Sequence, residues 1–387
     1  MMAPFAVIGA GPAGLMAAES LAAAGQEVVV FDQMAAPARK FLLAGRGGLN
    51  LTHSEPLEVF LTRYGSAAER LRPAIEAFPP SALIAWAEGL GQACFTGSSG
   101  RVFPRAMKAS PLLRAWLARL EGQGVTLRRR HRWLGWDEAG ALRFETPEGE
   151  VGFAPRATIL ALGGASWPRL GSDGAWASLL PGVTPFRPAN MGFRVAWSAH
   201  LSVRFAGQPL KRVALRFGGE TKRGEAMITR EGIEGGLLYA FSAALREAIA
   251  RDGFADIVLD LRPDLPRITL PGGSQSLANQ LRKQAGLSPV AVALVQEVLR
   301  AGTTRPVAEL VKALPLRLTG TQGLERAISS AGGLPFDPGL AVPGHPRVFA
   351  CGEMLDWEAP TGGYLLQACF STGVAAARAA LNSSRNS

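Results

Sequence analysis

Two segments at opposite ends of this 387-residue chain carry residue types whose spacing could do chemistry. Near the start, the apolar run Phe5-Ala6-Val7-Ile8 leads into Gly9-Ala10-Gly11-Pro12-Ala13-Gly14, and Asp32 closes a second apolar run, Val28-Val29-Val30-Phe31. Near the end, Arg347-Val348-Phe349-Ala350-Cys351 leads into Gly352-Glu353, and Thr361-Gly362-Gly363-Tyr364-Leu365 follows. Glycines directly after a strand let the backbone turn sharply and come close to a ligand. A helix that starts there aims unpaired N–H groups and its positive dipole end at whatever is bound. That arrangement suits a phosphate-bearing dinucleotide.

Within the first segment each glycine has its own task. Gly9 permits the tight turn, Gly11 lets the backbone reach a pyrophosphate, and Gly14 brings helix and strand together. Asp32, with Gln33 beside it, ends the second strand, where a carboxylate can accept hydrogen bonds from ribose hydroxyls. A G-x-G-x-x-G alone is weak evidence in a chain with 46 glycines. Strand, glycines, helix, second strand and terminal acid together are strong, against the bland alternative of a glycine-rich turn that binds nothing.

The elements that must position these segments follow an α/β rhythm at both ends. A helix is expected over Leu15–Ala24. Arg39 to Asn50 reads as a loop that breaks the rhythm, with Gly45, Gly47 and Gly48 implying a backbone held against something flat or charged. Helices are expected near Pro80–Gly89 and Ala109–Glu121, the latter with Leu112, Leu113, Trp116, Leu117 and Leu120 as a core-facing stripe. Short strands follow to Phe153, then a buried strand Ala157–Leu162 ending at Gly163-Gly164. Thr361 reads as the N-cap of a last helix running to about Ala377, and Gly373 within it hints at tight packing. The stretch between has a different grammar, strand-like first and then helical. The expected division is a dinucleotide-binding domain over 1–185 and 335–387, a β-rich substrate domain over 186–262 and 314–334, and a small helical domain over 263–313.

Composition narrows the functional class. Hydrophobic residues make up 48% and charged residues 19%, as in an ordinary globular protein with a substantial core. Three scattered cysteines and four scattered histidines offer neither a C-x-x-C pair nor a metal-ligand cluster, so redox chemistry would need a bound cofactor and no metal is expected. No apolar run reaches the roughly 18 residues that cross a bilayer, and the first strand starts too early for a signal peptide. A cytoplasmic protein without a membrane partner is expected. The net charge of +10 suits a polyanion such as RNA, with Arg128-Arg129-Arg130-His131-Arg132 as a local cluster; a solvated arginine-rich surface is the alternative. Oligomeric state is left open.

An NAD dehydrogenase would complete its fold continuously and has no need of a glycine turn at the far C-terminus. An extended cofactor such as FAD reconciles the two ends, with ADP on the first unit and the isoalloxazine at the last strand and helix. The motifs Gly9–Gly14, Arg39–Asn50, Ala161–Gly164 and above all Gly352–Tyr364 resemble the BaiN/RdsA-like (YhiN-like) bacterial flavoproteins, relatives of aminoacetone oxidase. The resemblance covers nearly the whole chain. It implies an α/β fold: a two-dinucleotide-binding-type Rossmann FAD domain with an inserted β-rich substrate domain and a small helical domain. It also implies oxidoreductase chemistry on a small organic substrate, by amine oxidation or C=C reduction, or the reduction of uridine in ribosomal RNA. A non-catalytic dinucleotide module is the remaining alternative.

The chain departs from its relatives in three places. Where they carry S-G-G-G-R-C-N, it reads Ala44-Gly45-Arg46-Gly47-Gly48-Leu49-Asn50, so that loop has no thiol. Asp32 replaces a glutamate, and Leu365 replaces an asparagine after G-G-Y. The expected cofactor contacts are Gly9, Gly11, Pro12, Ala13, Gly14, Asp32 and Gln33 in the first unit. Arg39, Lys40, Gly45, Arg46, Gly47 and Asn50 follow in the loop, and then Gly163. At the far end they are Gly352, Glu353, Gly362, Gly363, Tyr364 and Leu365. Glu353 reads as the acid that meets the ribityl chain, or as a surface turn acid; Arg46 and Asn50 as flavin or substrate contacts, or as solvated loop residues. Asp356, Tyr364 and Arg46 are the catalytic candidates; Asp356, Glu358 and Tyr364 are the titratable groups nearest the expected ring, and none is singled out as the proton donor. No second G-x-G-x-x-G follows a strand between 185 and 335, so NAD(P)H would bind only transiently as electron donor.

Overall fold

The computed structural model describes residues 3–45, 47–270 and 275–385. The chain divides into two compact units, Met1–Arg187 with Ser329–Ser387, and Pro188–Ile328.

The first unit is built on a five-stranded sheet whose spatial order is Val348–Ala350, Thr158–Leu160, Phe5–Ile8, Val28–Asp32, Thr126–Arg129. Every pairing in it is parallel. Strands of this kind are covered on both faces, which is why Phe5–Ile8 and Thr158–Leu160 are unbroken runs of buried residues rather than alternating ones. In chain order the strands lie 5-4-1-2-3, so the direction of winding reverses between the first and the fourth. Ligands of doubly wound sheets bind beyond the carboxyl ends at that point.

The helix Pro12–Ala23 crosses from the first strand to the second, with Pro12 at its first position, where a missing N–H costs nothing. It packs against the C-terminal helix Tyr364–Arg385. The contact is backbone-close: a Cβ on Gly373 would run into the carbonyl oxygen of Ala13. On the same first helix, the buried Glu19 carboxylate accepts hydrogen bonds from Trp116 Nε1 (2.7 Å), Trp86 Nε1 (3.0 Å) and Arg119 Nη1 (3.0 Å). One acid thereby ties three helices together, since Trp86 lies on Pro80–Gly89 and Trp116 and Arg119 on Ala109–Gly122. The expected stripe on the latter helix is indeed turned inward, with Leu112, Leu113, Trp116 and Leu120 buried.

Two small antiparallel sheets fill the connections of this unit. One orders Thr52–His53, Arg101–Pro104 and Cys94–Thr96; the other orders Arg132–Trp136, Leu142–Thr146 and Gly149–Phe153. Two local expectations need correction. Arg39–Ala44 is a short helix rather than loop, because Phe41 buries against the core and six residues suffice for the turn. The last helix starts at Tyr364, since Gly362 (φ +140°) and Gly363 (φ +96°) hold non-helical backbone, so Thr361 is not its N-cap. It also continues past Ala377 to Arg385, because Ala380 and Ser384 remain buried.

In the second unit a seven-stranded sheet orders Leu314–Leu318, Ala255–Asp260, Pro209–Phe217, Glu220–Ile228, Gly232–Glu234, Phe193–Arg194 and Gly320–Thr321. Helices Leu277–Lys283, Pro289–Arg300 and Val307–Lys312 share its buried core: Leu281, Leu294 and Leu310 join Leu215, Leu259 and Leu314 in one cluster. Ser288 caps the middle helix by accepting from Ala291 N–H, with Pro289 at its first position. Among the described residues no helix is long and apolar enough to cross a membrane.

Removing the Glu19 carboxylate strands two indole donors and a guanidinium in a mostly buried place. Glu19→Ala is expected to lower the unfolding free energy by about 3 kcal/mol, and Glu19→Gln, which keeps one acceptor, by less. Urea denaturation followed by tryptophan fluorescence checks both.

Candidate functional site

A cavity opens beyond the carboxyl ends of the parallel strands, at the reversal point. Its walls come from Gly9, Gly11, Pro12 and Ala13, from Asp32, Met34, Ala36 and Ala38–Phe41, from Ala161–Gly163 and Leu170–Ser172, and from Cys351–Glu353 with Cys369. The two motif-bearing ends of the chain therefore meet in one place. Gly9 (φ +108°) has no room for a side chain, because its Cβ would strike the carbonyl oxygen of Ala161 on the neighbouring strand. A Cβ on Gly14 would likewise strike the carbonyl of Gly9. At Gly11 nothing lies within 4 Å of where a Cβ would stand, and no side chain caps the helix that begins there. Open space and an uncapped helix start are what a diphosphate requires.

Asp32 faces this cavity but already braces the turn. Its Oδ2 accepts from Ala10 N–H and its Oδ1 from Met34 N–H, both at 2.8 Å. Burial pushes the carboxyl above its ordinary value, and the two amide bonds offset this only in part. Each oxygen keeps a lone pair for a further donor. Gln33 Nε2 donates to Gly171 O at 2.8 Å, closing the loop after the fourth strand onto the second. Asp32 and Gln33 also line an adjoining cavity with Phe31, His131, Trp133 and Trp176. Trp133 and Trp176 were not singled out by sequence, and His131 entered only as part of the arginine-rich cluster. The signal available was His131-Arg132-Trp133 directly after a strand that pairs Arg129 with Asp32. Trp133 Nε1 is buried without a hydrogen-bond partner among the described residues.

On the opposite wall Lys40 Nζ and Glu353 Oε2 are 2.6 Å apart, with side chains 24% and 14% exposed. Glu353 Oε1 accepts from Ser330 N–H at 3.0 Å, and Ser330 Oγ accepts from Ala165 N–H at 3.1 Å. Cys369 lies beside this pair. Its thiol is pushed up to about 12 by burial and by the Glu353 carboxylate, which Lys40 partly counters. Burial likewise raises Cys351 far above the ordinary thiol value, so both are protonated thiols at neutral pH.

Apart from Arg39, the remaining described candidates are not among the residues that line this cavity. Gly45 packs on Ala109, and Gly48 (φ +113°) on Met107 and Phe103, so the tight approach expected of that loop is made to the protein itself. Gly47 is open, and Arg39 lines the cavity rim. Among the described residues Asn50 Oδ1 is a buried acceptor with no hydrogen-bond partner. Arg46 lies outside the described residues. Gly363 sits on the backbone of Thr52, its Cβ position 2.5 Å from Thr52 Cα. Leu365 is half-buried in the first turn of the helix that follows.

Tyr364 is buried, and its hydroxyl donates to Glu55 Oε1 at 2.7 Å. Arg63 Nη2 donates to the other Glu55 oxygen at 2.7 Å, and Tyr64 Oη to Tyr364 O at 2.8 Å. Burial alone would raise the Glu55 carboxyl, but the bonds from Arg63 and Tyr364 outweigh it and hold Glu55 below its ordinary value. Burial and the Glu55 carboxylate hold the Tyr364 hydroxyl well above its own. Asp356 Oδ2 accepts from Thr184 Oγ1 at 2.8 Å.

The donor set fits an elongated anionic dinucleotide: open backbone at Gly11, acceptors at Asp32 and Glu353, and an orphan acceptor at Asn50. Comparison with known proteins points the same way. The family described as HI0933-like protein Rossmann domain matches residues 3–379. The 3-dehydro-bile acid delta(4,6)-reductase of Clostridium scindens is 26% identical over 418 residues, spanning 97% of this chain and 98% of that protein. Among solved structures, 3-ketosteroid-delta4-(5alpha)-dehydrogenase from Rhodococcus jostii RHA1 superposes with a TM-score of 0.53 at 16% identity, covering 99% of this chain and 97% of that one. The 3-ketosteroid delta1-dehydrogenase of Sterolibacterium denitrificans gives 0.56 at 14% identity, with both chains fully covered. The two structural likenesses establish the fold.

Gly9 and Gly11 should separate folding from binding. Gly9→Ala forces a clash with Ala161 in a left-handed backbone and is expected to lower the melting temperature by several degrees or more. Gly11→Ala has room in the fold and is expected to leave the melting temperature nearly unchanged while weakening dinucleotide binding at least about tenfold. Thermal melts and cofactor titration of the two variants check this.

Proposed function

The chain belongs to the HI0933-like Rossmann-domain family, and on that footing we propose that it is an FAD-dependent oxidoreductase exchanging a hydride with a small organic substrate. The observation that carries this reading is the single cavity in which Gly9–Ala13 and Asp32 meet Gly352-Glu353. A nicotinamide dinucleotide would use the first half of such a cavity; the second half calls for a longer cofactor. Similarity along nearly the full length of a bile acid delta(4,6)-reductase favours reduction of a C=C bond over amine oxidation.

In this reading Gly11 and the start of the first helix hold the diphosphate, Asp32 the ribose, and Glu353 the sugar-alcohol chain. Asn50 Oδ1 offers an acceptor to the ring system. Bound flavin would supply the hydride chemistry. Tyr364 acts by position: its hydroxyl is committed to Glu55, which Arg63 holds in turn, and this fixes the turn at Gly362-Gly363. NADH or NADPH serves as a transient donor, there being no second G-x-G-x-x-G after a strand between 185 and 335. The purified protein should carry oxidised-flavin absorption, and anaerobic titration with NADH and NADPH should bleach it. Protein that neither contains nor takes up FAD would refute the reading.

One surface favours a second reading, with RNA as the substrate. On the outer face of the sheet that includes Arg101–Pro104, Phe95 and Phe103 stack with centroids 5.7 Å apart and planes inclined by 28°. Arg101 shares that face by strand alternation, and Arg105 and Lys108 are exposed nearby. Among the described residues none of these three cations has an ion-pair partner. Stacked aromatics beside free cations suit single-stranded nucleic acid, whose bases stack on such rings for about 1–3 kcal/mol each. Binding of a labelled uridine-rich oligonucleotide should then fall with salt and fall again in Phe95→Ala; the absence of any salt-sensitive binding would sink this reading.

A further inference from the structure

Lys40 would ordinarily be taken for a phosphate ligand, being a cation in the wall of a dinucleotide cavity. The geometry gives it a different task. Its ammonium is 2.6 Å from Glu353 Oε2, a partner 313 positions away in the chain. The second Glu353 oxygen is held by the backbone of Ser330, on the strand Ser329–Gly333. Ser330 is itself fixed through Ala165 N–H, and Gly164 makes room: a Cβ there would strike Ser330 Oγ and lie 3.2 Å from the Glu353 carboxyl carbon. Four segments thus converge to aim one carboxylate.

The electrostatic reason is plain. An unpaired carboxylate in this wall would repel a diphosphate bound at Gly11 and would lose hydration with nothing to replace it. Paired with Lys40 it keeps lone pairs free to accept from sugar hydroxyls while adding no net charge. We propose that Lys40 is a positioning residue that neutralises and aims Glu353, so that the acid meets the cofactor as half of a neutral pair; this rests on the FAD reading above. The proposal separates Lys40 from the backbone groups that bind phosphate directly.

The test is a double-mutant cycle on FAD affinity, measured by titrating deflavinated protein and following the quenching of flavin fluorescence. Lys40→Met leaves the half-buried Glu353 without its cation, and is expected to weaken FAD about tenfold or more and to shift the flavin midpoint potential negative. Glu353→Gln should cost less, since the amide still presents an acceptor. In Lys40→Met/Glu353→Gln the affinity should return to within about threefold of Glu353→Gln alone, and Lys40→Arg should stay near wild type. Losses that simply multiply in the double variant would mean that Lys40 contacts the phosphates itself, and would overturn the proposal. So would a midpoint potential that Lys40→Met leaves unmoved. Thermal melts of the FAD-free proteins identify folding defects; if Lys40→Met fails to fold, Lys40→Gln takes its place in the same cycle. A wild-type protein that binds no FAD would overturn the cofactor reading and this proposal together, an outcome distinct from additive losses on normal wild-type binding.

Discussion

The N-terminal turn of the first helix is enclosed by backbone on three sides, and most of the site follows from that enclosure. Gly14 sits against the carbonyl of Gly9, Gly9 against that of Ala161, and Gly373 of the last helix against that of Ala13, each too close for a Cβ. From the last strand, Gly352 (φ +80°) approaches as well, its Cβ position 2.7 Å from the Ala13 methyl. Backbones packed this closely have little freedom to shift, because repulsion rises steeply at such distances. Residues from both ends of the chain are therefore held at one helix start, and the uncapped amides there face the space at Gly11.

Charge is handled in the same economical way. In a chain of net charge +10, the acids around the cavity are already engaged. Asp32 holds two backbone amides and Glu353 holds Lys40 and the Ser330 amide; outside the cavity, Glu55 holds Arg63 and Tyr364 in the same way. At Glu55 such bonds outweigh burial and hold the carboxyl below its ordinary value, and at Asp32 and Glu353 they leave lone pairs free for a further donor. Attraction for an anionic cofactor then falls to backbone amides and the helix dipole, which need no reorganisation on binding.

The strand-to-glycine-to-helix pattern was legible in sequence because each part follows from local sterics. Gly9 needs a positive φ, Gly11 needs open space, and Gly373 needs close helix packing; the structure shows all three. The resemblance drawn from Gly352–Tyr364 and the other motifs agrees with the family to which the chain belongs. Two local features were misread for equally physical reasons. Arg39–Ala44 lacks the length and periodicity that announce a helix, and its shape depends on burying Phe41. Thr361 looked like an N-cap because Ser and Thr favour that position, but two left-handed glycines follow it and delay the helix to Tyr364. The bond from Tyr364 to Glu55, more than three hundred residues earlier, has no local signal at all.

Local residue patterns alone predicted an α/β fold, its nucleotide-binding fingerprint and a dinucleotide that spans both ends of the chain. Those follow from runs of a few neighbouring residues, whose backbone freedom and hydrophobic period are local properties. Only the tertiary structure decided which side chains face one another. Lys40 against Glu353, Trp133 and Trp176 beside Asp32, Glu19 among Trp86, Trp116 and Arg119, and Arg63 behind Glu55 and Tyr364 are pairings set by packing. No spacing in the chain encodes them, because charge and hydrogen-bond complementarity act across space between segments whose separation in sequence is arbitrary.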